Sequence, residues 1–144
     1  MKTTFLIVFA SLFASAVCSQ SKDETEAVKT VITKLVEGVD KQDGKMLADV
    51  FHETSGIFAF TPDGTGMLTV TAEQFAGMHA SGKFGGRKRK MEIKGLDIND
   101  EGLIASAIVH AYDKKVFYDY RLTLFKIDGK WGIVSFGQRS RKNG

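Results

Sequence analysis

LIASAIVHAYDKKVFYDYRLTLFKI, residues Leu103–Ile127, is the stretch that decides the fold. Two runs rich in β-branched and aromatic residues, Leu103–Tyr112 and Val116–Ile127, flank the polar Asp113-Lys114-Lys115, which is the pattern of a β-hairpin. Upstream lies a further run, Met91–Ile98, set off by Asn99-Asp100-Glu101-Gly102. Downstream, Asp128-Gly129 leads into Trp131–Phe136, and Asp-Gly between apolar runs is a strong hairpin signal. Four strands in succession predict an antiparallel meander.

The residues before Lys90 read differently. Ser21 and Glu24 have capping-box spacing, and Ala27, Val28, Val31, Ile32, Leu35 and Val36 follow as an amphipathic helical stripe. Asp43-Gly44 breaks that helix, and Met46, Leu47, Val50 and Phe51 mark a shorter one. Gly56–Phe60 predicts a strand, Pro62-Asp63-Gly64 a turn, and Met67–Val70 a short strand. Thr71 and Gln74 box the start of a third helix. Helices first and a meander after them define an α+β domain, with N-terminal helices packed on a mainly antiparallel sheet.

The 144-residue length favours one domain. Met1-Lys2, the apolar run Phe5–Phe13 and the small-x-small Ala14-Ser15-Ala16 together predict a cleavable signal peptide over 1–18, cut after Ala16 or within the next few residues so that the mature N-terminus lies between Val17 and Ser21. That leaves a domain over 19–144 in a secreted or periplasmic setting. The apolar run falls short of the roughly 20 residues that span a bilayer, so no stable membrane insertion is expected. Cys18 is the only cysteine, which excludes an internal disulfide, a Cys-based zinc site and a Cys nucleophile from the domain. A net charge of +3 does not by itself imply nucleic acid.

If Asp113-Lys114-Lys115 is a three-residue loop, Tyr112 opposes Val116 and His110 opposes Tyr118. One face then carries Ile108, His110, Tyr112, Tyr118, Tyr120, Leu122 and Leu124, and suits packing against the helical stripe. The other carries Ala105, Ala107, Val109, Ala111, Phe117, Asp119, Arg121 and Thr123. An apolar alanine strip on an uncovered face predicts a second copy over it, hence a homodimer through the outer sheet face. Trp131 is left on neither face, because the register after Asp128-Gly129 is ambiguous by one residue.

The order of elements, ending in Asp128-Gly129-Lys130-Trp131-Gly132-Ile133-Val134, resembles the nuclear transport factor 2-like superfamily. Leu47-Ala48-Asp49-Val50-Phe51-His52 and Asp119-Tyr120-Arg121-Leu122-Thr123-Leu124 narrow the resemblance to its putative lumazine-binding branch. It covers about Glu24 to Gln138 and implies a cone-shaped, cystatin-like domain with a strongly curved sheet. This superfold hosts isomerases, dehydratases, cyclases and non-enzymatic binding modules, so it implies no single activity. Its proton-transfer enzymes often place a carboxylate where the first strand begins. Gly56–Phe60 holds no ionisable residue, which argues against carrying over that mechanism. Its kinase association domains line the cone with arginines. The corresponding positions here resemble Ile108 and Leu122, which implies an apolar, aromatic interior with Phe58, Phe60, Tyr118 and Tyr120.

His110, set beside Tyr112, Tyr118 and Tyr120 in this register, suits either a core or rim histidine or an acid–base partner for a tyrosine. Asp119 reads as a structural contact to a neighbouring arginine. Asp49, His52 and Glu53 have helical i, i+3, i+4 spacing but no matching partner motif, so no metal site is assigned. His79 is expected to be exposed, and Arg87-Lys88-Arg89-Lys90 reads as a charged strand start. The leading expectation is an exported, non-enzymatic domain without a cofactor that binds a small apolar or aromatic molecule. Its candidate lining is Phe58, Phe60, Ile108, His110, Tyr112, Tyr118, Tyr120 and Leu122. The alternatives are a lyase or isomerase using His110 with Tyr118 or Tyr120, and a homodimeric interaction module without ligand.

Overall fold

A computed structural model describes residues 11–61 and 63–143, with side chains from Lys22 onward. Met1-Lys2, most of the expected signal-peptide apolar run, and Pro62 lie outside the described residues. Three helices, α1 (Ser11–Lys41), α2 (Gly44–Val50) and α3 (Ala72–Ala80), pack on one six-stranded sheet. Its strands are β1 (Phe51–Phe60), β2 (Met67–Val70), β3 (Lys90–Ile98), β4 (Ile104–Tyr112), β5 (Val116–Ile127) and β6 (Lys130–Lys142). They lie in the order β2-β1-β6-β5-β4-β3, antiparallel throughout except for the parallel pair β1–β6. The expected α+β layout of helices on a mainly antiparallel sheet is the one observed.

The apolar stripe of α1 does what its spacing implies. Val28, Ile32, Leu35, Val36 and Val39 are buried against the sheet, while Lys29–Glu26 and Lys41–Glu37 pair on the wet side. Ser21 does not start the helix. It lies inside α1, and Glu24 instead accepts from Trp131 Nε1 (2.7 Å) and Lys126 Nζ. Asp43 caps α2 by accepting from Met46 N, and the Thr71–Gln74 capping box opens α3 as its residues predict. Phe51, expected in the second helix, is its C-cap and begins β1. β6 runs past Phe136 to Lys142.

The decisive correction is in the β4–β5 hairpin. Asp113 N donates to Val116 O (3.0 Å), so Asp113 faces Val116 and only Lys114-Lys115 make the turn. The Asp113 carboxylate accepts from Lys115 N (2.7 Å) and Val116 N (3.0 Å), which fastens that shorter turn. Tyr112 therefore opposes Phe117, and His110 opposes Asp119. A one-residue slip moves a whole strand's side chains to the opposite face. Ala105, Ala107, Val109 and Ala111 line the core, opposite Leu124, Leu122, Tyr120 and Tyr118. Ile108, His110 and Tyr112 point outward. The alanine strip that motivated the homodimer is covered by the chain's own helices.

Small residues on β4 leave room for large ones on β5 and β6. Tyr120, Leu122, Leu124, Trp131, Ile133 and Phe136 fill the space beneath α1, and Tyr120 meets Phe136 edge-on at 5.0 Å. The Glu24 contact places Trp131 on this inner face.

Candidate functional site

The curved sheet has a helix-covered inner face and an open outer face, and the eight residues nominated from sequence divide between them. Tyr118, Tyr120 and Leu122 are on the inner face; Phe58, Phe60, Ile108, His110 and Tyr112 are on the outer one. No single cavity brings them together. Phe60 is 49% exposed and Ile108 37%, against the burial expected of both.

On the inner face the polar centre is Arg89, whose side chain is only 2% exposed. Its Nε donates to Asp40 Oδ1 (2.5 Å), Nη1 to the Tyr120 hydroxyl (2.5 Å) and Nη2 to the Val36 carbonyl (3.3 Å). The guanidinium also lies 5.0 Å from the Tyr118 ring centroid. Burial pushes the Tyr120 phenol up to about 12 despite the adjacent cation, so it stays protonated. The basic run 87–90 hides this residue in the sequence. Alternation at the entrance to β3 sends Arg89 inward and leaves Lys88 and Lys90 exposed.

The strap over residues 81–88 closes this end. Gln42 Nε2 donates to the carbonyls of Gly82 and Phe84 (2.9 Å each), and Gly86 N donates to Val39 O (3.2 Å). Gly85 has φ +76°, and a Cβ there would sit 2.1 Å from Val39 O, so only glycine allows this approach. His79, expected to be exposed, is buried beneath the strap with Nδ1 donating to Phe75 O (2.8 Å). Burial holds its imidazole below the usual value, and the Arg89 charge adds to that. Every charged or polar arm of the Arg89–Asp40–Tyr120 cluster already has a partner within the chain.

The outer face is open. Its central trough, about 520 Å³, is walled by Phe58, Ile108 and Arg121 and floored by Ser106, Thr123 and Gly137. Ile104 and Phe125 oppose each other on the same face, and both remain exposed. Toward the β4–β5 turn, His110 meets the Phe117 ring edge-on (4.8 Å), and Tyr112 stacks with Phe117 (6.1 Å). Asp119 accepts from Arg121 Nη2 (3.1 Å) through Oδ2. Its Oδ1 is buried without a hydrogen-bond partner among the described residues, 3.9 Å from His110 Nε2. Asp119 thus has the arginine neighbour expected of it.

His110 cannot act together with Tyr118 or Tyr120, because the sheet itself lies between them. The lyase or isomerase alternative loses its acid–base pair. Asp49 reaches Lys130 Nζ (2.9 Å), and His52 Nδ1 contacts Thr54 Oγ1 (2.9 Å); no metal-ligating cluster occurs among the described residues. None of the described helices is long and apolar enough to cross a membrane.

Known structures share the architecture. A nuclear transport factor 2-like protein of unknown function from Shewanella baltica OS155 is similar at a TM-score of 0.72 and 24% identity, over 82% of this chain and 94% of that one. A domain of unknown function with a cystatin-like fold from Nostoc punctiforme PCC 73102 is similar at 0.65 and 15%, over 81% and 76%. A ketosteroid isomerase-like protein from Erwinia carotovora atroseptica SCRI1043 is similar at 0.64 and 11%, over 83% and 95%. At these identities the likeness is one of fold. No curated protein matches the chain. The profile of the family described as "Putative lumazine-binding" matches residues 23–136, most of the chain, and the chain belongs to that family.

Proposed function

We propose that this is an exported, non-catalytic binding domain whose working surface is the outer face of its sheet. On that face, the trough beside Phe58, Ile108 and Arg121 takes a small apolar or aromatic molecule, and a second copy of the chain closes over it. The observation that carries this reading is the division of the two faces. The inner cluster is internally satisfied beneath the strap, whereas the outer trough has apolar walls and one guanidinium at its edge. Ligand sites of this kind combine apolar walls with a few polar groups.

A trough open along its length leaves much of a ligand in water, and a two-fold partner is the simplest closed cover. The exposed Ile104, Ile108 and Phe125 supply apolar contact, and Arg121 with Asp119 supplies polar contact. The family description supports a small-molecule ligand without identifying one. Separation of His110 from Tyr118 and Tyr120 supports the non-catalytic part of the reading.

Native mass spectrometry of protein taken from its own compartment tests this directly. A dimer carrying a retained small molecule supports the reading. A ligand-free dimer favours the interaction-module alternative, and a monomer overturns both. N-terminal sequencing of the same material tests export, which requires a start between Val17 and Ser21. Retention of Met1 on the mature protein contradicts it.

A further inference from the structure

The strands run between two ends of unlike charge. At the β4–β5 end, three segments far apart in sequence meet. Lys90 pairs with Tyr112, while Val116, Phe117 and Asp119 pair with Lys142, Arg141 and Arg139. Asn143 N donates to Lys115 O (2.9 Å), and Arg87 forks onto Asp113 (2.6 and 2.7 Å).

Arg87 and Arg89 are neutralised by Asp113 and Asp40. Lys88 and Lys90, Lys114 and Lys115, and Arg139, Arg141 and Lys142 remain exposed, and none forms an ion pair among the described residues. The neighbouring carboxylates engage other side chains, although Asp119 Oδ1, on the residue opposite Arg139, has no hydrogen-bond partner among the described residues. Asp119 holds Arg121, and Glu92 accepts from Tyr112 (2.5 Å) and faces Lys94. At the other end of the strands, Asp100, Glu101 and Asp128 are exposed. The twelve residues of β5 put about 36 Å between the two ends. The net charge of +3 conceals this sorting.

We infer that the basic end is a docking surface for an anionic phospholipid bilayer. The cations fan around a hairpin tip and two strand ends, an arrangement that meets a flat sheet of phosphates. A single-stranded nucleic acid wants free aromatic faces on which bases stack. Here the Phe117 ring is covered by the Arg141 guanidinium at 4.5 Å and flanked by Tyr112. Each basic residue near an anionic leaflet raises partitioning about fivefold, so three charges account for about a hundredfold. Glu24 contacts Trp131 and Lys126 beside the β5–β6 turn, so the chain preceding it enters at the acidic end.

The test is co-sedimentation of the mature protein, taken from its own compartment, with phosphatidylcholine vesicles with and without 30 mol% phosphatidylglycerol, with and without added salt. The expected result is binding that requires phosphatidylglycerol and weakens with salt. Combining Lys114→Glu, Lys115→Glu and Lys142→Glu should lower it at least about a hundredfold. Lys88→Glu with Lys90→Glu and Arg139→Glu should do the same, which keeps the test decisive if one set fails to fold. Asp100→Lys with Glu101→Lys should leave binding undiminished. Equal binding to neutral vesicles, or anionic binding untouched by both sets, overturns the inference. So does binding to a single-stranded oligonucleotide without preference for anionic vesicles.

Discussion

The two faces of β4 differ by one residue in register and by nearly everything in environment. Ala105, Ala107, Val109 and Ala111 are buried, although alanine is the smallest apolar side chain the strand carries. Ile104, Ile108, His110 and Tyr112, which are larger, face out or lie at the rim. Size complementarity decides this. Tyr118, Tyr120, Leu122 and Leu124 on β5 already fill the volume beneath the helices, and their β4 partners must be small for the layers to close. The row with the bulkier side chains thus faces outward, and the row of small residues is the core.

Adjacent substitutions should behave as opposites. Val109→Asp places a charge in a fully buried, apolar position and should abolish cooperative folding, as seen by circular dichroism. Arg89→Met should come next, at about 3–5 kcal/mol in urea unfolding, because it leaves Asp40 without its charge partner. Adding Asp40→Asn should recover part of that loss; no recovery would mean the pair is not coupled. Leu122→Ala should cost about 2–5 kcal/mol, whereas Ile108→Ala should stay within about 0.5 kcal/mol for the monomer. Equal costs for the last two would erase the distinction between the faces.

Most of the architecture was legible because it rests on long periodic signals: the α1 stripe, the four meander strands, and the Thr71–Gln74 box. The register was not, because it hung on one side chain. Asp113 reads as a loop residue, but its carboxylate satisfies two backbone donors and turns the loop into a two-residue turn. That choice carried Ile108, His110 and Tyr112 to the outer face. The end of β6 was hidden for a different reason. Gly137 to Lys142 is polar, and its strand character comes from pairing with β5 rather than from its own composition. Arg89 was masked by the three cations around it, and Asp40, which holds it, lies 49 residues away. None of these partners leaves a local pattern.

His79 and Glu24, at opposite ends of the helix-covered side, make stability depend on pH in two ranges. In the unfolded chain His79 takes a proton as pH falls through its ordinary value of about 6.5, while in the folded chain burial opposes it. The unfolded state then binds more protons, so stability falls with pH from about 6.5 downward, until the folded form also protonates. His79→Leu should remove that upper slope. The carboxylate of Glu24, held below its usual range first by Lys126 and then by Trp131, contributes stability above about 4.5 that is lost below it. Melting temperatures between pH 7 and 3 should therefore show two separable declines. An unchanged upper slope in the His79 variant would contradict its burial.

The most direct test of the outer face as the working surface is sedimentation velocity at tens of micromolar on the unmodified protein and on Ile108→Asp. The account predicts a dimer for the first and a folded monomer for the second, because Ile108 is exposed beside the trough and Asp there meets its own copy. A monomeric unmodified protein, or an Ile108→Asp variant that remains dimeric, would contradict it.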